Sequence, residues 1–353
     1  MKKSLLIALS AVLAGCAETT RPGEDSGGPP VGTLTLSRSE MVFNAGGDVP
    51  SDRRTLQVSN TGEGTLNVSG LAVTGEDAAR FALPGVSPFS LAAGESRELA
   101  VTFTPNSDAD LGPQNATLRV TQGGEGGSVQ EVYLGGLSVE GQEGTKEPSV
   151  QWIFDTYGFP IQTGDEDPTT SALVEEATNA PVGDEVVAQT FRRADPTQPV
   201  TVEVLATFAV PNVEPVFEFG FYEAGAAEPS LQKLLSLPIR PGLNGQRLGP
   251  VIVPSVPGAE AGVVSFNAPG GTFGFYSSWP TTRFFEQRTV FTEDARNTFD
   301  ALPHHVRPYP LKERGGAPVE NAYILATDES NRLNDYNDAV VLIRNVQPAE
   351  AGL

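Results

Sequence analysis

The chain has 353 residues, with 44 acidic side chains against 23 basic ones and a formal charge of −21. Nucleic-acid phosphates repel so acidic a surface, which sets nucleic-acid binding aside. A single cysteine permits no internal disulfide and no cysteine-based metal cluster, so the folded parts must hold together by burial alone.

Lys2 and Lys3 precede an apolar run from Leu5 to Ala14 that only Ser10 interrupts. This is the charged-then-apolar layout of an export signal, too short to cross a bilayer as a helix. The run ends in Leu13-Ala14-Gly15-Cys16, which resembles the bacterial lipobox. The resemblance implies that residues 1–15 are a removed lipoprotein signal and that Cys16 becomes the lipid-bearing first residue. Removing two lysines and no acids takes the formal charge from −21 to −23. Acyl chains on Cys16 would anchor the protein to a membrane, each buried methylene adding about 0.8 kcal/mol. Ala17 follows where, in the enterobacterial sorting pattern, Asp favours inner-membrane retention. By that resemblance the expected location is the outer membrane or cell surface of a Gram-negative bacterium.

Residues 16–32 hold the lipidation cysteine and a Gly-, Pro- and acid-rich tether of sixteen residues, whose coil spans about 20 Å. Short alternating strands follow, at Leu56 and Val58, Leu66 and Val68, Leu99 to Phe103, Ala116 to Val120, and Val132 and Leu134. Every second residue faces one side, so one face of each strand is dry. Seven or so such strands in about 110 residues predict an immunoglobulin-type sandwich without its cysteine pair. The stretches LQVSNTGEGTLNVSGLAVTGEDAARFAL, FSLAAGESRELAVTFTP and GPQNATLRV, in that order, resemble the ASPM/Hydin-type (ASH) immunoglobulin-like domain, called choice-of-anchor D in bacterial surface proteins. The resemblance covers residues 33–141 and implies a spacer or interaction module with no catalytic residues.

A second linker, EGQEGTKEPS over 140–149, places the first domain at 33–141, the linker proper at 142–149 and a second domain at 150–353. Strands are expected at 185–191, 200–210, 216–223, 262–266, 272–277, 319–327 and 338–346, with a short helical signal at 231–236. Frequent prolines between them argue against a parallel βαβ sheet. The predicted fold class is all-β: two β-sandwich domains, the first immunoglobulin-like, the second larger and lectin- or jelly-roll-like. The segments FGFYSSWP, RTVFTEDARNTFD and NDYNDAVVLIRNV resemble a C-terminal domain of myxobacterial-type secreted and surface proteins, for which that resemblance implies no activity.

Chemistry concentrates in LATDESNRLNDYNDAVVLIRNV, 325–346. Oxygen-bearing side chains at Asp328, Asn331, Asp335, Asn337 and Asp338 are candidate Ca2+ ligands, since calcium takes six to eight oxygens from carboxylates, amides and carbonyls. The spacing is not an EF-hand: Arg332 stands at the fifth position and the required Gly is missing. The same side chains also suit a plain turn, in which Asp and Asn bond nearby backbone.

A second candidate is an aromatic platform of Tyr276, Trp279 and Arg283, with Phe273 and Phe275 on the opposite, inward face. Hydrolysis of a glycan needs two carboxylates across one cleft, and Glu203 and Glu218 are the strand-borne pair that such a reading would use. His304 and His305 are the only histidines, and as neighbours on an extended segment they point to opposite sides, which suits no shared metal. No nucleophile-elbow, zincin or P-loop pattern occurs. The expected function is non-catalytic binding or adhesion to an external glycan or envelope protein, with Ca2+ shaping the C-terminal hairpin. The alternatives are a metal-free assembly spacer and a secreted carboxylate-dependent glycan hydrolase.

Overall fold

The computed structural model describes residues 31–46, 51–106, 110–124, 127–141, 146–164, 179–209, 214–238, 246–256, 262–282, 286–299, 301–329 and 335–349. Cys16, Asn331 and Arg283 lie outside them. The first strands are β1 (Leu34–Leu36), β2 (Glu40–Gly46), β3 (Asp52–Asn60), β4 (Leu66–Thr74), β5 (Phe81–Ala82), β6 (Phe89–Leu91), β7 (Ser96–Phe103), β8 (Gly112–Gln122) and β9 (Val129–Val139). They form a four-stranded sheet, β1-β3-β7-β5, and a five-stranded sheet, β2-β9-β8-β4-β6. Leu56, Val58, Leu66, Val68, Leu99, Val101, Leu118, Val120 and Leu134 are buried between them, as alternation requires. β2 pairs with β9 in parallel, while the other pairings are antiparallel.

Helix α1 (Val150–Tyr157) follows, where the sequence pattern expects the start of an all-strand domain. Its signals are local. Ser149 Oγ accepts the Trp152 amide at 3.1 Å, an N-cap worth about 1 kcal/mol. Gly158 ends the helix in the left-handed conformation at φ 71°, and Val150, Ile153, Phe154 and Tyr157 make one buried face.

The remaining strands are β10 (Phe191–Arg193), β11 (Val200–Phe208), β12 (Phe217–Glu223), β13 (Gln232–Leu237), β14 (Gln246–Leu248), β15 (Val253–Pro254), β16 (Val263–Phe266), β17 (Phe273–Trp279), β18 (Arg288–Phe291), β19 (Val306–Lys312), β20 (Pro318–Thr327), β21 (Ala339–Arg344) and β22 (Val346–Pro348). One seven-stranded sheet follows the path β15-β13-β12-β17-β10-β22 with β18 beside β17; a six-stranded sheet runs β14-β11-β21-β20-β19 with β16 beside β11. Two expectations need correction. The helical signal at 231–236 is strand β13, because hydrogen bonds to β12 and β15 outweigh local propensity. The run at 185–191 enters a strand only at Phe191.

The six-stranded sheet is apolar on both faces. Val202, Val204, Leu325, Val341 and Ile343 meet the seven-stranded sheet. Leu205, Phe208, Leu248, Tyr309, Ile324 and Leu342 meet α1 together with Leu137 and Val139 from the first sandwich. The sandwiches therefore share a core across α1. Polar bonds reinforce it: Arg54 Nη2 donates to Leu248 O at 3.0 Å, Asn44 Oδ1 accepts the Leu248 amide at 3.2 Å, and Tyr133 Oη donates to Thr156 O at 3.0 Å. Gly135 permits this approach, since a Cβ there would stand 2.0 Å from Thr156 O. The end of the expected linker is packed as well, with Glu147 and Ser149 buried.

Candidate cation site

Strand β20 ends at Thr327, and Asp328 and Glu329 continue into the loop. The chain returns through Asp335–Asp338 into β21. Hydrogen bonds to the backbone fix both arms. Asp328 N donates to His305 O at 3.0 Å, Phe208 N to Asn337 O at 3.2 Å, and Thr207 Oγ1 to Asp338 O at 2.8 Å. Tyr336 turns the second arm at φ 58°, and its hydroxyl donates to His304 O at 2.7 Å. A left-handed conformation at a bulky residue costs of order 1 kcal/mol or more, so surrounding contacts must hold it there.

These arms bring the carboxylates of Asp328, Glu329 and Asp338 together, with one oxygen from each lying within 4.8 Å of the others. All three are buried, at 2, 7 and 6 % exposure. Asp338 Oδ2 accepts the Glu329 amide at 2.8 Å. Glu329 Oε2 has no hydrogen-bond partner among the described residues. Burial raises the Asp338 carboxyl well above its ordinary range. Arg288, on β18, places a guanidinium nearby and donates to the Glu329 carbonyl at 2.9 Å. Three carboxylates so confined call for protons or a cation, because buried like charges cannot all ionise unaided.

The expected ligand set is therefore split. Asp328 and Asp338 converge. Asp335 is buried and accepts the amides of Asn337 and of its own residue, and its carboxyl is nonetheless pushed up to about 7 by burial. Asn337 is fully buried, and its Nδ2 donates to Pro148 O at 2.9 Å, towards α1. Asn331 lies outside the described residues. The third member is Glu329, an acid of the same loop. Strand alternation would send Asp328 and Glu329 to opposite sides, and only the turn after Thr327 brings both together.

The aromatic platform is not presented to solvent. Trp279 is 2 % exposed and packs against Phe217 with tilted rings 5.0 Å apart, while Tyr276 is 4 % exposed. The cause is strand length. β17 runs through Trp279, so Trp279 shares the inward parity of Phe273 and Phe275. Arg283 lies outside the described residues. Glu203 and Glu218 leave the same core in opposite directions, since their neighbours Val202, Val204, Phe217 and Phe219 face it from opposite sheets. Glu218 is paired with Lys233 at 2.8 Å. Glu203 is half-buried rather than solvated, and its carboxyl is raised by burial and by the charge of Glu40, against Arg344.

The two histidines do diverge. His305 Nδ1 lies 3.1 Å from Asp328 O. His304 Nε2 meets Glu185 Oε1 at 2.6 Å and its Nδ1 meets Asp294 at 3.0 Å. Burial pulls the His304 imidazole down, but hydrogen bonds and charge from Asp294 and Glu185 more than offset it and raise the group to about 9. Arg307 Nη1 donates to the other Glu185 oxygen, and its guanidinium lies 4.6 Å over the Tyr336 ring.

No family model matches the chain, and no curated protein matches it. Among solved structures it is similar to the ASH/PapD-like domain 7 of human CEP192, at 14 % identity over 36 % of this chain and 99 % of that one, with a TM-score of 0.25. It is also similar to the E. coli chaperone DraB, at 18 % identity, 37 % and 64 % coverage and a TM-score of 0.27. The periplasmic chaperone SfaE matches at 11 % identity, 73 % and 98 % coverage and a TM-score of 0.27. Scores of this size carry no inference about activity or partner.

Proposed function

We propose that the protein is a non-catalytic binding or adhesion module of the cell envelope, held to a membrane by lipid on Cys16, with its C-terminal hairpin stabilised by Ca2+. The observation that carries the reading is the buried triad of Asp328, Glu329 and Asp338 within 4.8 Å. Three carboxylates offer up to six oxygens, and calcium completes its shell from carbonyls or water. The lipobox resemblance and the acidic tether supply the anchoring half of the proposal. The ligand is a glycan or an envelope protein.

The test is thermal unfolding of the chain, stripped with chelator and titrated with calcium, with magnesium as control. A ligand held only by the folded state adds about 2.7 kcal/mol at a hundred times its dissociation constant. For a chain of this length, with an unfolding entropy of about 2.1 cal/mol/K per residue, that corresponds to a rise of roughly 4 °C. Glu329→Gln should abolish the rise. A melting curve indifferent to calcium leaves the metal-free assembly spacer, in which Asp335 simply fixes the turn through the Asn337 amide.

A further inference from the structure

We propose that the cation site governs how firmly the two sandwiches are joined, because the hairpin that gathers its carboxylates also grips the start of the connecting helix. The inference rests on the calcium reading above and adds a regulatory consequence to it.

Asn337 immediately precedes Asp338 and is fully buried. Its amide nitrogen donates to Pro148 O at 2.9 Å, one residue before the Ser149 cap of α1. From there the helix reaches the first sandwich. Thr156 O accepts Tyr133 Oη, Asp155 O accepts Asn115 Nδ2 at 3.4 Å, and Trp152 lies against Gly112, where an added Cβ would meet the indole at 3.3 Å. One continuous path therefore runs from Asp338 through Asn337, Pro148 and α1 to β8 and β9.

The near end of this path gathers three buried carboxylates, with the Arg288 guanidinium donating to the Glu329 carbonyl beside them at 2.9 Å. Glu329 is 7 % exposed, belongs to the triad, and keeps Oε2 without a hydrogen-bond partner among the described residues. Three ionised carboxylates beside one guanidinium keep a net negative charge, so they repel, and the relief open to them is to part. Asp338 is bonded to the Glu329 amide through its side chain and to Thr207 through its carbonyl. It cannot withdraw without displacing Asn337, and so the hold on Pro148. Binding and coupling are then two sides of one free energy: docking of α1 must raise calcium affinity by the same factor that calcium strengthens docking.

The chain has two tryptophans, Trp152 and Trp279. In the full chain carrying Trp279→Phe, Trp152 alone reports on the contact between α1 and the first sandwich. Calcium binding is followed by titration calorimetry and Trp152 by its emission, with far-UV circular dichroism as the fold control. The expected result is a binding heat and a blue shift with the same midpoint, both lost in Glu329→Gln. Asn337→Ala is expected to keep its fold, with Trp152 emission fixed at the chelated position even at saturating calcium. A binding heat with no shift overturns this inference and leaves the calcium reading standing, as does an undiminished shift in Asn337→Ala. The absence of any heat overturns both.

Discussion

Replacing Arg307 by methionine is expected to destabilise the fold by about 3 kcal/mol, the low end of the cost of breaking a buried ion pair. Arg307 is fully buried on β19, donates to Glu185 Oε2 and to Ala180 O at 3.2 Å, and covers the Tyr336 ring. The Glu185 side chain is itself 1 % exposed. Methionine fills much of the vacated volume, so little of the loss is packing; the carboxylate is what suffers. His304 still holds the other Glu185 oxygen, which keeps the expected value at that low end. Removing both charges, as Arg307→Met with Glu185→Met, should restore roughly half of the loss, since an apolar pair of similar volume is often as stable as a buried ion pair. Urea unfolding at neutral pH, followed by far-UV circular dichroism across the double-mutant cycle, measures this. A single variant within about 0.5 kcal/mol of wild type, or a double variant whose loss equals the sum of the singles, refutes the argument.

His304 should make stability fall at alkaline pH. Its folded value is raised from 6.5 to about 9, so its contribution is complete below about 6.5 and disappears as pH climbs through 9. The urea midpoint should decline across that window in wild type and flatten there in His304→Gln; a flat wild-type profile sinks the idea. Gly135→Ala would drive a methyl to 2.0 Å from Thr156 O, and should displace α1 and red-shift Trp152 emission while both sandwiches keep their strand content. Unchanged emission would show that the helix approach tolerates a side chain. Cys16→Ser should abolish metabolic labelling with palmitate and release the protein from the membrane fraction, and retained label would refute lipidation at Cys16.

Strand parity made much of the first sandwich legible. The alternation at Leu56, Val58, Leu99, Val101 and Phe103 names residues that the structure buries. In β21 the signal was different in kind. Ala339-Val340-Val341-Leu342-Ile343 is an unbroken apolar run, the mark of a strand covered on both faces, and its second cover is α1 with Leu137 and Val139. That cover arrives from more than 180 residues earlier in the chain, where no local pattern announces it. Trp279 was misplaced for a smaller reason, a strand two residues longer than its apolar run. The acidic loop was visible as a cluster, but the division of labour inside it was not. Whether a carboxylate meets other carboxylates as well as a backbone amide, as Asp338 does, or the amides of its own turn, as Asp335 does, depends on turn geometry rather than composition.

The parallel pairing of β2 with β9 has a mechanical consequence. All seven residues of β2 are in register with β9, from Glu40 beside Tyr133 to Gly46 beside Val139. The chain enters this pair at the Glu40 end and leaves it at the Val139 end, towards α1. Once the short β1–β3 pairing has given way, tension applied between the N-terminal side of β2 and the second sandwich pulls the two strands past each other along their length. Their ladder is sheared, with its hydrogen bonds strained together, instead of being peeled open one rung at a time. For a body tethered at one end and gripped at the other, that orientation resists force best.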